Sequence, residues 1–177
     1  MNGGKAAERL WQGRFLEVHA APWGEGGRWE YVTRVNRIAA AVILAVTDAR
    51  EVVLVEQHRP PLGRPAIELP AGLVGDETAG EDPLSSARRE LLEETGFMAR
   101  RWEDFGTFAS SPGMLGEIFH FFRATGLERV GPGGGAGDER ITVHLVPLAE
   151  VPAFVAAARA RGCAIDTRLL ALLPLLP

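Results

Sequence analysis

The chain has 177 residues, 46% of them hydrophobic and 24% charged, enough apolar material for one domain with a real core. Its formal net charge is −4 with no basic run, so nucleic acid is excluded as an expected partner. A single cysteine, Cys163, rules out an intramolecular disulfide, fits a reducing cytoplasmic setting, and is expected to be structural.

The N-terminal stretch "MNGGKAAERLWQGRF" lacks an apolar core segment, so no secretory signal is expected. "GRFLEVHAAPW" and "RWEYVTRV" flank "GEGG" and predict an antiparallel hairpin. "IAAAVILAV" (38–46) has nine residues, too few to span a bilayer, so no membrane partner is expected and a buried strand is predicted. It is followed by "TDAR" and "EVVLVEQHR", which together predict a second hairpin in the core of a sheet. "PAIELPAGL" reads as a short strand. A helix then follows, with Asp82 as cap, Pro83 at its first position, Gly96 at its end, and Leu84, Ala87 and Leu91 on its buried side.

Beyond the helix, "WEDFGTFA" and "IFHFFRAT" are strands around the loop "SSPGMLGE". "GPGGGAGDE" (131–139) is read as a mobile loop, "RITVHLVPL" as the last strand, and "AEVPAFVAAARARG" and "DTRLLALLP" as closing helices. The pattern is α/β or α+β in one domain. His19, His58, His120 and His144 have no ligand spacing and are expected to be structural.

The helix in "AGEDPLSSARRELLEETGF" (79–97) carries the chemistry. At 100° per residue, Glu90 and Glu94 lie about 40° apart and Glu93 about 60° to the other side, so three carboxylates share one sector. Such like charges destabilise an isolated helix, and they fall in its last turn, where the dipole disfavours acids. A hard divalent cation with oxygen ligands would compensate. On the helix alone, a solvated face with Arg88 and Arg89 as counter-charges is an equal reading.

The spacing changes this balance. Gly75, five residues, Glu81, seven residues, then "RELLEETGF" (89–97) resembles the complete box of the Nudix hydrolases. "LPAG" ends at Gly72, a second position for the box's first glycine, and both stay open. The resemblance implies an α/β/α sandwich with a mixed sheet and a Mg²⁺ cofactor, or Mn²⁺ in its place. It also implies hydrolysis of nucleoside diphosphates linked to another group. Residues 1–36 would form an N-terminal antiparallel extension for substrate and dimer contacts, and 37–177 the Nudix hydrolase domain.

Further stretches resemble the ADP-ribose pyrophosphatase branch: "GRF…RWEYVTR", "EQHRPPLGRPAIELPAGL" (56–73), Pro112 sixteen residues after Gly96, and "GDERITVHLVPL". By that resemblance, the Ala71 carbonyl, Glu90 and Glu94 ligate metal and Arg89 braces a box carboxylate. Glu139 or Glu93 would act as base, and Glu139 is a further metal ligand. Arg59 would contact the diphosphate, and Glu68 would hold a ligand or Arg59. Phe15 and Trp29 would sandwich adenine, with Glu30 and Arg34 contacting base or ribose. The implied substrate is ADP-ribose, cleaved to AMP and ribose 5-phosphate by a homodimer. The alternatives are GDP-mannose or another nucleoside diphosphate sugar, and a nucleotide-binding module that does not cleave.

Overall fold

A computed structural model describes residues 7–75 and 80–175. Its first three strands, β1 (Glu8–Gln12), β2 (Leu16–Trp23) and β3 (Gly27–Arg34), form an antiparallel sheet of their own. The predicted hairpin turns at Gly24 and Gly26, both at positive φ, and pairs Leu16 with Arg34 through Trp23 with Gly27.

The rest of the described chain builds two four-stranded sheets. One has the order β7 (Ala71–Leu73), β4 (Ala40–Ala45), β9 (Ile118–Arg129), β8 (Phe97–Ala109); the other β10 (Ile141–Pro147), β5 (Glu51–Arg59), β6 (Arg64–Glu68), β11 (Ala164–Ile165). Each mixes directions: β4 runs parallel to β9 and antiparallel to β7, and β6 runs parallel to β11 and antiparallel to β5. The second predicted hairpin needs correction. β4 and β5 meet only in the bridge Val46–Val52 and then part into different sheets. Both strands are apolar on both faces, so their sequences do not choose neighbours; the open edges of β7, β9, β6 and β10 do. "PAIELPAGL" likewise splits, with β6 and β7 on different sheets.

Alternation along β4 explains the layers. Val42, Leu44 and Val46 face one core with Leu54, Ile67, Phe119 and Phe121, closed by α2 (Val151–Ala160) and by a C-terminal 3-10 segment (Thr167–Leu175). Ala41, Ile43 and Ala45 face the other, closed by α1 (Pro83–Thr95) through Ala87 and Leu91. This is an α/β/α sandwich with the N-terminal sheet appended. Among the described residues no helix is long and apolar enough to cross a membrane.

Helix α1 has the predicted ends. Asp82 accepts from the Leu84 and Ser85 amides at 3.0 and 3.2 Å, and Gly96 closes it at φ 74°. The glycine-rich segment is not free at its start, as a mobile loop would be. The Gly134 and Gly135 amides donate to the carbonyls of Glu94 and Glu93 at 2.8 and 3.1 Å, and those of Val130 and Gly131 to Gly96. Glycine is needed for this approach: a Cβ on Gly133 would lie 2.4 Å from the Thr95 carbonyl carbon. The segment therefore satisfies the helix's last carbonyls and fixes where Glu139 emerges.

Candidate active site

A cleft of about 470 Å³ is lined by residues from strands of both four-stranded sheets. Strand β7 contributes Ala71, Gly72 and Leu73, α1 contributes Glu90, and the loop before β10 contributes Glu139. Arg59 and Glu68, at the ends of β5 and β6, line it as well, with Arg34 at the end of β3.

The buried face of the helix separates its carboxylates. Glu90 and Glu94 are 8% and 3% exposed, whereas the side chain of Glu93 keeps 30%. Glu94 accepts from the Ala71 amide at 2.9 Å, which ties the helix to β7. Burial pushes its carboxyl up to about 8, opposed by the Ala71 hydrogen bond and reinforced by the nearby charges of Glu90 and Glu139. Glu90 packs on Gly72 so closely that a Cβ there would come within 2.0 Å of the Glu90 carboxylate oxygen. The two glycines left open by the sequence thus serve different needs: Gly72 clears space for Glu90, and Gly75 makes the turn after β7 at φ 78°.

Arg89 sits among the acids. Its Nη1 is 2.9 Å from Glu90 and 3.1 Å from Glu93, while Nη2 lies 3.6 Å from Glu81 and donates to the Leu73 carbonyl at 3.4 Å. Ser86 in turn donates to Glu81 at 2.6 Å. The brace links three acids of the box and strand β7.

In the same cleft, Arg59 is held in a fork by Glu68, with Nε to Oε1 at 2.6 Å and Nη2 to Oε2 at 2.7 Å. Of the two roles open for Glu68, it holds Arg59, and this bond raises the arginine's pKa above its ordinary value. Arg34 donates through Nε to Glu117 at 2.7 Å. Sequence reasoning missed Glu117, Asp166 and Arg168, all of which line the cleft. Arg168 pairs with Asp166 and reaches Glu68 at 3.4 Å. Its only sequence signal was an Asp and an Arg two residues apart before an apolar run.

Three predicted residues lie elsewhere. Phe15, Trp29 and Glu30 are exposed on the N-terminal sheet and do not line the cleft. Phe15 adjoins Leu16, the partner of Arg34, whereas Trp29 is five residues back along β3, about 17 Å at strand rise. One chain does not bring their rings together over one base. Trp29 instead stacks at a tilt on Trp23 with centroids 5.0 Å apart, and donates to the Gly113 carbonyl at 3.1 Å. The loop with Pro112 is docked on β3, where the Val32 amide donates to Met114 at 2.9 Å.

Glu139 is exposed, and its Oε2 accepts from the Ala136 amide of its own loop at 3.2 Å. Among the described residues no three acidic or other ligating side chains already converge as a metal cage. The oxygen donors nonetheless suit a hard cation: a buried carboxyl held protonated by burial and by neighbouring acids is one that a divalent ion would ionise.

A mixed-sheet sandwich, a braced acidic helix and an arginine-lined cleft define a class, and the comparisons agree with it. The NUDIX domain profile matches residues 35–166, and the chain belongs to that family. It is 35% identical over 145 residues to the "Methanol dehydrogenase activator" of Bacillus methanolicus, an alignment spanning 80% of this chain and 75% of that one. It is 36% identical over 126 residues to the "ADP-ribose pyrophosphatase" of Bacillus subtilis (strain 168), spanning 69% of this chain and 65% of that one. A solved structure described as an ADP compounds hydrolase superposes with a TM-score of 0.66 at 22% identity, covering 85% of this chain and 80% of that one, a likeness of fold.

Proposed function

We propose that the chain is a Mg²⁺-dependent pyrophosphohydrolase, with Mn²⁺ as the alternative cation, that splits ADP-ribose into AMP and ribose 5-phosphate. The observation that supports this most is that Glu90, Ala71 and Glu139 line the same cleft as Arg59 and Arg34. The name of the Bacillus subtilis relative favours ADP-ribose within the nucleoside diphosphate sugars.

In this reading the Ala71 carbonyl, Glu90 and Glu94 hold the cation, joined by Glu139, and Arg89 keeps Glu90 in place. Bound there, the cation would supply charge neutralisation on the diphosphate and activation of the attacking water. Arg59, positioned by Glu68, donates to diphosphate oxygens with the N–H groups that carboxylate leaves over, and Arg34, positioned by Glu117, contacts base or ribose. Glu139 takes a proton from the attacking water at its carboxylate, and Glu93 is the second candidate for that task. Phe15, Trp29 and Glu30 act in this scheme from a neighbouring copy, so residues 1–36 serve as a dimer extension on the catalytic unit 37–177. The setting is cytoplasmic.

The test is a panel of ADP-ribose, ADP-glucose, GDP-mannose, NADH and FAD with phosphate-release detection in Mg²⁺. ADP-ribose should turn over with the highest kcat/KM. A preference for GDP-mannose would replace the substrate but keep the reaction. Tight binding of ADP-ribose without cleavage in either cation would make the chain a binding module instead.

A further inference from the structure

The flank of β8 and β9 that faces the C-terminal segment carries four phenylalanines around a second cavity of about 250 Å³. Phe119 and Phe121 point from β9 toward the α2 side of the sheet. Phe105 and Phe108 come from β8 and lie over them: Phe105 stacks on Phe121 and Phe108 on Phe119, both with centroids 5.8 Å apart. Core packing does not account for this pair, since Phe105 and Phe108 remain 42% and 47% exposed.

Regular alternation would send residues 105 and 108 to opposite faces. The register shows why it does not. Asp104 pairs with Phe122 but Thr107 with His120, so β8 carries one extra residue between them. Gly106 sits in this bulge at φ 88°, its amide bonded to the Asp104 carboxylate at 2.7 Å. The bulge turns both rings onto one face, the kind of re-aiming that bulges perform beside functional sites.

The cavity and the cleft share one wall residue. Arg168 lines both, with its guanidinium carbon 6.0 Å from the Phe119 centroid and its acidic partners Asp166 and Glu68 in the cleft. Glu117 lines the cleft, and Phe119 and Phe121 follow it two and four residues on. Pockets for whole drug-sized ligands span roughly 300–1,000 Å³, so this volume suits one ring system rather than a nucleotide. Aromatic walls with a guanidinium at the rim select a flat, electron-rich ring over a sugar.

We infer that this slot binds a planar heteroaromatic base carried on the same diphosphate that the cleft holds, an inference that rests on the hydrolase reading above. The base is the second one of a dinucleoside diphosphate, since the scheme above gives the single adenine of ADP-ribose to Phe15 and Trp29 of a neighbouring copy. Steady-state kcat and KM are measured in Mg²⁺ for ADP-ribose and for diadenosine diphosphate, on the wild type, Phe108→Leu and Phe108→Tyr. Loss of the ring in Phe108→Leu should raise KM for diadenosine diphosphate about 5- to 100-fold, the size of one base-stacking contact, and Phe108→Tyr should restore it. A rise for diadenosine diphosphate alone places its second base in the slot; a rise for both substrates puts the adenine of ADP-ribose there and overturns the assignment of the slot to a second base. Unchanged KM for both, with wild-type turnover, overturns the slot and leaves the hydrolase reading intact. Phe108→Leu protein that loses self-association in mass photometry at unchanged KM makes the face a contact between copies, and overturns it equally. A wild type that cleaves neither substrate overturns the reading of the cleft itself. In that case equal affinity of wild type and Phe108→Leu for diadenosine diphosphate by calorimetry overturns the slot as well.

Discussion

Helix α1 and the N-terminal sheet both carry residues expected to touch substrate, yet they are held in opposite ways. The helix is capped at Asp82, closed at Gly96, tied to β7 through Glu94 and covered at its end by the glycine-rich segment. The sheet turns Trp11, Phe15 and Trp23 out to solvent at 57%, 66% and 63% exposure. A site that must fix charge needs every neighbour in place, because misplacing a carboxylate costs its whole electrostatic return. Aromatic surface requires no such cage, and these rings stay exposed in the single chain. The cleft is thus assembled within one chain, while the sheet's aromatics reach no cleft in the same chain.

The contrast can be broken most sharply at Glu94. Glu94→Gln should lower turnover by roughly 10³-fold, a loss of the order seen when a group stabilising transition-state charge is removed. Its circular dichroism and unfolding midpoint at neutral pH should stay near wild type, since a buried amide replaces a carboxyl that burial already favours as neutral. Near-wild-type rates would remove the metal argument. Arg59→Ala comes next. It leaves Glu68, 4% exposed, with Arg168 as its remaining guanidinium at 3.4 Å, so stability should fall by about 3 kcal/mol, alongside a raised KM. An unchanged urea midpoint would show the fork to be dispensable.

Gly72→Ala tests the packing side. A methyl group in the space of the Glu90 carboxylate should weaken Mg²⁺ activation about 10- to 100-fold, read from a metal titration of the rate. The pH dependence has a definite sign. Glu94's folded pKa, about 8, exceeds the ordinary 4.5, so between these values the folded state binds the extra proton. Stability of the metal-free protein should therefore fall as pH rises from about 5 to 8. Thermal melts in chelator should show this slope, and saturating Mg²⁺ should flatten it by offsetting the cost of ionising Glu94. The smallest effect belongs to the sheet. Trp29→Ala removes one hydrogen bond to Gly113 and should cost about 1 kcal/mol by denaturant unfolding. A larger loss would mean that the sheet is as caged as the helix.

How much of this was readable depends on the range of the physics. The caps of α1 and the hairpin of β2 and β3 follow from neighbours within a few residues, so the sequence displayed them; the helix alone left Glu90 and Glu94 between a solvated face and a cation site, and the box spacing tipped that balance. The hairpin wrongly expected for β4 and β5 failed because a strand apolar on both faces carries no label for its partner. Arg168 and Glu117 went unnoticed because their meaning comes from Glu68 and Arg34, 100 and 83 residues away.

By itself, then, the sequence determined the helix with its ends, the order of its acids and the alternation that buries both faces of β4, because these are set by local geometry and side-chain chemistry. Only the tertiary structure decided which glycine Glu90 leans on, that Glu68 grips Arg59, and that the glycine-rich segment caps α1. It also decided that a bulge turns Phe105 and Phe108 to one side. Each of these depends on how distant segments meet, and close packing fixes such contacts to fractions of an ångström that no spacing rule encodes.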